Sequence, residues 1–266
     1  SHLLVMQIGI DVGATKIESV VLEEDGNEKH RSRTTCPKDY LTIINTIKDI
    51  HHQLEKEFQK ELPIGVCHPG IHSPQTGLVK NAPNCYWLEK KPFQGDLRKA
   101  LGKEVFCEND ANCFALSEAI DGSGKHYKIV YGIILGSGAG GGLVIDKQIV
   151  SGPNGVAGEW GHNQIPYFAA KKENFNSNNA REAEVESFIS GLGIAKRFNK
   201  LYRKNLKTNE IFELNRKHDL DAERFIDEFK LNLAMSLSAI INILDPDAFV
   251  FGGGVSNEID FLSEIE

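Results

Sequence analysis

The chain has 266 residues, a formal net charge of −7 and a sequence pI of about 5.8. That length supports a large core and two lobes, and the acidic balance argues against a general nucleic-acid binder, which shows a basic face. No apolar run approaches the roughly 20 residues of a membrane span, and no signal-peptide pattern opens the chain. Ser1-His2 reads as a tag remnant and is set apart from the fold. The five cysteines, Cys36, Cys67, Cys85, Cys107 and Cys113, form no C-x-x-C pair. This fits a reducing cytoplasm and suggests neither a disulfide framework nor a cysteine zinc site.

Residues 3–10 and 18–23 read as paired strands, and Asp25-Gly26 as a hairpin turn into a third. Between the first two lies Ile8-Gly9-Ile10-Asp11-Val12-Gly13-Ala14-Thr15-Lys16, an apolar strand ending in a carboxylate, a glycine turn, a hydroxyl and a lysine. Gly13 would let backbone N–H groups approach an anion, Thr15 and Lys16 can donate to phosphate oxygens, and Asp11 can hold a hydrated Mg²⁺. A plain hairpin with Asp11 as a turn residue reads equally well from this stretch alone. Residues 40–58 have a helical period with Ile44, Ile47, His51, Leu54 and Phe58 on one side, and the histidines there read as surface or half-buried residues. Residues 63–67 form a buried type of strand, 94–101 a short helix and 104–107 another strand.

That strand runs into Glu108-Asn109-Asp110-Ala111-Asn112, with a helix from 111 to about 120. Asp110 therefore sits where a strand meets a helix amino terminus. Aspartate there is a common N-cap, and open α/β sheets also place their ligands at the carboxyl ends of strands. One residue can do both, and a rigidly held carboxylate suits a catalytic base.

Strands follow near 129–135, 142–145 and 148–150. The first pair flanks Gly136-Ser137-Gly138-Ala139-Gly140-Gly141-Gly142, again strand, glycine turn, strand. A polar loop at 155–163 contains Gly158-Glu159-Trp160-Gly161-His162, and 171–184 reads as an exposed loop. Helices are expected at 182–199 and 223–244, the second stopped by Asp245-Pro246-Asp247. The last strand, 248–251, feeds a third cluster, Gly252-Gly253-Gly254. One such turn means little, but three strand-to-glycine turns, the first carrying Asp and Lys, suggest a nucleotide held from two sides. A Rossmann dehydrogenase is a weak reading, because the run at Gly136 lacks the helix opening and the later acidic residue.

In order and combination these motifs resemble the ROK (repressor, open reading frame, kinase) family over nearly the whole chain. Asp11 to Lys16 resembles its first phosphate motif, Glu108 to Cys113 its catalytic motif and Gly136 to Gly142 its second phosphate motif. Gly158 to His162 and Glu186-Ser187-Phe188-Ile189-Ser190-Gly191 resemble its sugar-binding segments, and Asp245 to Asp247 with Gly252 to Gly254 its adenosine motif. Val79 to Asn84, Val150 to His162 and Asn109 to Cys113 look nearest to bacterial fructokinases, with N-acetylglucosamine kinases next. The resemblance implies an α/β, two-lobed, actin-like or ribonuclease-H-like ATPase fold with a central cleft, divided at 1–113 and 114–266. It implies ATP-dependent phosphorylation of a hexose primary hydroxyl, in the cytoplasm, with no nucleic-acid or membrane partner. Family members are often dimers, which leaves a homodimer open. Repressor members carry an amino-terminal helix-turn-helix, and this chain starts at the first strand, which disfavours DNA binding.

On that resemblance Asp110 is the general base and Asp11 holds Mg²⁺ through water. Gly13, Thr15, Lys16, Gly136, Ser137, Gly138, Gly140, Gly253 and Gly254 meet the nucleotide, and Asn81, Asn109, Glu159, His162 and Glu186 meet the sugar. The alternatives are kinases of N-acetylglucosamine, N-acetylmannosamine or glucose, or a non-catalytic sugar-binding regulator. Two departures stand out. The family's zinc site uses the motif histidine and three cysteines, but the matching positions hold Ser177, Asn179 and Glu184, so no zinc is expected. A carboxyl-terminal element usual in the family also looks missing.

Overall fold

The computed structural model describes residues 6–166 and 180–262. Residues 3–5 of the expected first strand, and most of the exposed loop expected at 171–184, lie outside the described residues. The chain divides into two compact units: residues 1–113 with 151–156, and residues 114–150 with 157–266.

Unit 1 is built on a five-stranded sheet of order β3-β2-β1-β4-β7. Strands β1 (Gln7–Val12), β2 (Lys16–Leu22) and β3 (Glu28–Thr35) form an antiparallel meander. Strands β4 (Ile64–His68) and β7 (Val105–Asn109) continue from β1 in parallel. A short hairpin of β5 (Ile71–His72) and β6 (Val79–Lys80) stands beside them.

Helix α1 (Tyr40–Phe58) starts where Asp39 accepts the Thr42 N–H at 2.9 Å. It buries Ile43, Ile44, Ile47, His51 and Leu54 against the sheet. His51, expected at or near the surface, is 1% exposed, with Nε2 3.3 Å from the Leu62 carbonyl. Burial lowers its pKa, so it packs as a neutral imidazole. Helix α2 (Phe93–Leu101) ends at Gly102, whose φ of 66° is the left-handed cap that glycine favours. Parallel pairing sets Asp11 opposite Cys67, Cys67 opposite Glu108 and His68 opposite Asn109. The carboxyl ends of β1, β4 and β7 thus form one row of polar residues.

Helix α3 (Asp110–Ile120) follows β7 directly. In unit 2 the sheet has the order β10-β9-β8-β11. Strand β8 (Ile129–Leu135) pairs antiparallel with β9 (Ala139–Ile145) and parallel with β11 (Ala248–Gly252), and β10 (Gln148–Ile149) lies outside β9.

The expected helix over 182–199 is two helices, α4 (Glu186–Ile189) and α5 (Gly191–Tyr202). Ser190 separates them: its backbone is extended at φ −75°, ψ 160°, and its hydroxyl accepts the Gly193 N–H at 3.0 Å. The Gly191 N–H bonds the Gly136 carbonyl at 2.7 Å, a tertiary contact that no helical period announces. Helix α6 (Thr208–Arg216) has no counterpart in the sequence reading, since only Ile211 and Phe212 are buried on its two turns. Helix α7 (Leu220–Leu244) is capped by Asp219 and stopped by Asp245 at φ 43°. A core of Tyr131, Ile133 and Leu135 from β8 packs with Phe188, Phe198, Phe212, Phe225 and Phe229 from the helices.

Candidate active site

In unit 1 the site grows from the row at the carboxyl ends of β1, β4 and β7. Asn109, rather than Asp110, caps α3: its Oδ1 accepts the Ala111 and Asn112 N–H groups at 2.9 and 3.2 Å. Its amide donates to the Gly70 carbonyl at 2.8 Å and also hydrogen-bonds the Asp110 carboxylate, which ties the two site residues together. Glu108 Oε1 accepts from the Asn109 N–H at 2.8 Å and from the Asn112 amide at 3.0 Å, so the junction is tied from both sides.

Relieved of the cap, Asp110 opens the helix with a solvent-accessible side chain. Protein atoms nonetheless surround its carboxyl closely, and this desolvation raises its pKa above the usual carboxylate value. The Asp11 charge adds to the rise and the Ala111 N–H opposes it. A carboxylate poised in this way is a better proton acceptor than an ordinary surface aspartate.

Asp11 is exposed, and its Oδ1 accepts the Cys67 thiol at 3.0 Å. Past it the chain turns tightly, with the Gly13 N–H bonded to the Lys16 carbonyl at 2.8 Å. Gly13 therefore has no N–H to offer an anion; it serves the turn, and the exposed Thr15 and Lys16 are the groups left to meet one. Asn81 stands just after β6 at φ 55°. Gly70 links it to the junction. A Cβ on Gly70 would lie 2.6 Å from the Lys80 carbonyl oxygen and 2.9 Å from Ala82, so only glycine lets Asn81's segment approach this closely. The sequence reading did not single out Gly70; its one signal is a glycine after His68-Pro69 at a strand end.

Unit 2 holds the second glycine cluster. The turn itself is Gly136-Ser137-Gly138, with the Gly136 N–H bonded to the Gly138 carbonyl at 3.0 Å. Gly140, expected to face phosphate, lies inside β9 opposite Ile134, and its carbonyl accepts the Trp160 indole N–H at 3.0 Å. The run Gly140-Gly141-Gly142 leaves room for the 158–162 segment, and Trp160 is 2% exposed there as a core residue.

Glu186 begins α4 and reaches back to the turn, accepting the Ala139 N–H at 2.8 Å. His162 Nδ1 lies 2.9 Å from Glu184 Oε2, and Nε2 lies 3.8 Å from Glu159 Oε2. Burial disfavours the imidazolium, but the Glu184 hydrogen bond and charge, with Glu159 and Glu186 behind them, prevail and raise the His162 pKa. The structure thus gathers Glu159, His162 and Glu186 into one cluster, joined by Glu184, which the sequence reading treated only as a lost cysteine.

The third cluster divides in the same way. Gly253 has φ 88°, and a Cβ there would lie 2.5 Å from the Leu135 carbonyl oxygen, so it is needed for packing behind the second turn. Gly254 is open to its surroundings. Asp247 accepts the Lys128 and Ile129 N–H groups at 3.1 and 2.7 Å, which pins the start of β8 and leaves it little freedom to bind adenosine. A cavity of about 700 Å³ in unit 2 is lined by residues including Ser137, Glu186, Ser190, Leu192, Lys196 and Lys200.

For Mg²⁺ the donors fit: Asp11 is an exposed hard oxygen ligand with a second carboxylate, Asp110, close enough to feel its charge. For zinc they do not. His162 Nδ1 is hydrogen-bonded to Glu184, two of the three thiolate positions are Ser177 and Asn179 outside the described residues, and structural zinc sites rest on thiolates and imidazoles.

The sequence profile of the ROK family matches residues 7–266. N-acetyl-D-glucosamine kinases of Haemophilus influenzae and Pasteurella multocida are 37% and 36% identical, each alignment covering 97% of this chain and 87% of the relative. Among solved structures, the ROK hexokinase of Thermus thermophilus superposes with a TM-score of 0.86 at 24% identity, covering 98% of this chain and 87% of that one. A ROK family glucokinase of Streptomyces griseus, in complex with glucose and AMPPNP, gives 0.74 at 25% identity, with 98% and 86% covered. The fold is the mixed α/β type of the actin-like, ribonuclease-H-like ATPases. No helix among the described residues is long and apolar enough to cross a membrane.

Proposed function

We propose that this chain, which belongs to the ROK family and is an ATP-dependent sugar kinase, transfers the γ-phosphoryl group of ATP to the 6-hydroxyl of N-acetylglucosamine. The observation that carries the choice of sugar is the 36–37% identity to N-acetyl-D-glucosamine kinases over 97% of the chain. The fructokinase expectation finds no support in these relatives and is set aside.

Phosphoryl transfer asks for positioning and charge stabilisation more than for covalent help from the protein. Asp110, with its raised pKa and its place on a helix held by the Asn109 cap, accepts the proton of the attacking hydroxyl. Asp11 would hold Mg²⁺ through its water shell, and that ion would supply charge neutralisation at the phosphate oxygens. Thr15, Lys16 and the turn Gly136-Ser137-Gly138 donate to phosphate oxygens, and the 700 Å³ cavity beside Ser137 is of a size for the rest of the nucleotide. Asn81, Asn109, Glu159, His162 and Glu186 read the sugar hydroxyls.

A coupled ADP-release assay over N-acetylglucosamine, N-acetylmannosamine, glucose, mannose and fructose tests the reading. N-acetylglucosamine should give the highest kcat/KM, with sugars lacking the acetamido group slower by about 10²-fold or more, because buried polar groups left unpaired discriminate strongly. A higher kcat/KM for any other sugar refutes the choice.

A further inference from the structure

We propose that Glu184 and His162 form a metal-free staple that holds the sugar-binding carboxylates of unit 2 in place, with Glu184 as a positioning residue. The inference rests on the assignment of Glu159 and Glu186 as sugar contacts.

His162 stands between Glu184, at 2.9 Å, and Glu159, at 3.8 Å. The two segments that carry these groups also meet through their backbones. Gln164 and Glu184 make an isolated antiparallel bridge, the Ile165 N–H bonds the Ala183 carbonyl at 2.8 Å, and the Val185 N–H bonds the Asn163 carbonyl at 2.8 Å. This is a two-residue-wide clasp with one charged pair at its side. Glu159 precedes the clasp by a few residues on one segment, and Glu186 follows it by two on the other. Glu186 in turn fixes the glycine turn through the Ala139 N–H at 2.8 Å.

A short clasp of backbone bonds frays easily without a tertiary anchor. The resemblance to the ROK family implies a zinc ion as such an anchor, with thiolates at the positions that here hold Ser177, Asn179 and Glu184. Here the third cysteine position is Glu184, and its carboxylate reaches the motif histidine directly. The charge arithmetic also favours the pair. Three carboxylates, Glu159, Glu184 and Glu186, act together on the one imidazole and favour its protonated form. Removing the Glu184–His162 bond frees the 183–186 segment and with it the aim of Glu186.

The test starts with zinc content, measured on the wild-type protein by mass spectrometry and needing no variant. Fewer than about 0.1 zinc atoms per chain are expected, and a zinc-selective chelator should leave the sugar KM unchanged. The second arm is Glu184→Gln, which keeps shape and removes charge. It should raise the sugar KM about tenfold, with kcat and the ATP KM within about twofold, and Glu184→Asp should recover part of the loss. A general folding defect would instead move all three constants together. Stoichiometric zinc, or a Glu184→Gln sugar KM equal to wild type, overturns the staple. All KM values are read with whichever sugar the wild type turns over fastest, so a wrong choice of sugar shows in the panel and a wrong staple shows here.

Discussion

Asp110→Asn should fold normally and lose about 10²–10⁴-fold in kcat, the usual contribution of a positioned general base. Asparagine keeps the size of the side chain and an oxygen that can accept the Ala111 N–H, now bonded at 2.9 Å, so the start of α3 survives. What disappears is the carboxylate assigned to take the hydroxyl proton. The Asn109 cap and its bond to Gly70 stay intact, so KM for the sugar should move little.

The sign of the pKa shift adds two signatures. Because the folded-state pKa of Asp110 lies above its unfolded value of about 3.9, its contribution to stability is greatest below that pH and is lost as pH rises through the folded value. At neutral pH the ionised carboxylate therefore opposes folding, and Asp110→Asn should melt at the wild-type temperature or higher. In the wild type, kcat/KM should fall toward acid with an apparent pKa above that of an ordinary aspartate, and the variant should lack that limb. A variant with wild-type turnover removes Asp110 from the mechanism; one that melts well below wild type makes it a structural residue instead.

The second large effect is expected at Gly141, where the fold and the site are coupled. A Cβ there would lie 2.5 Å from Trp160 Cδ1 and 2.6 Å from the Gly158 carbonyl oxygen. Neither can give way cheaply. Trp160 is buried with its indole bonded to Gly140, and the Gly158 carbonyl accepts the Tyr131 hydroxyl at 2.9 Å. Gly141→Ala should therefore cost about 1–3 kcal/mol through overpacking and lower Tm by several degrees. Because the displaced residues flank Glu159, the sugar KM should rise as well, while Gly254→Ala, at a position with open space, should leave stability near wild type. Calorimetry with steady-state kinetics on the two variants checks both. Equal melting temperatures for Gly141→Ala and wild type would mean that the 158–160 segment is looser than its contacts indicate.

Much of this molecule is legible in its sequence because its signals are local. The five strands of the main sheet of unit 1, the long α1 and α7 helices and the three strand-to-glycine turns announce themselves through apolar runs and turn residues, whereas the two-residue strands β5 and β6 give no such signal. Asp110 stands out because a carboxylate at a strand-to-helix junction is visible from spacing alone. The misreadings share a physical cause. A glycine run looks the same whether its residues turn, as Gly136 and Gly138 do, or lie in a strand so that a tryptophan can pack over them, as with Gly140 and Gly141. Which of Asn109 and Asp110 caps α3 depends on rotamers, and the break at Ser190 depends on a carbonyl more than fifty residues away. The sugar is not legible in the sequence for a similar reason: motifs carry the phosphate chemistry, whereas single groups on a sugar are recognised by a few side chains scattered along the chain.

In the proposed reaction the Asp110 carboxylate takes the proton from the acceptor hydroxyl. A crystal structure with N-acetylglucosamine and a non-hydrolysable ATP analogue measures it directly. An Asp110 oxygen about 2.6–3.2 Å from the sugar 6-hydroxyl is the predicted result, the reach a general base requires. A sugar bound with its 6-hydroxyl on another carboxylate, and Asp110 beyond reach even through one water, would contradict the account.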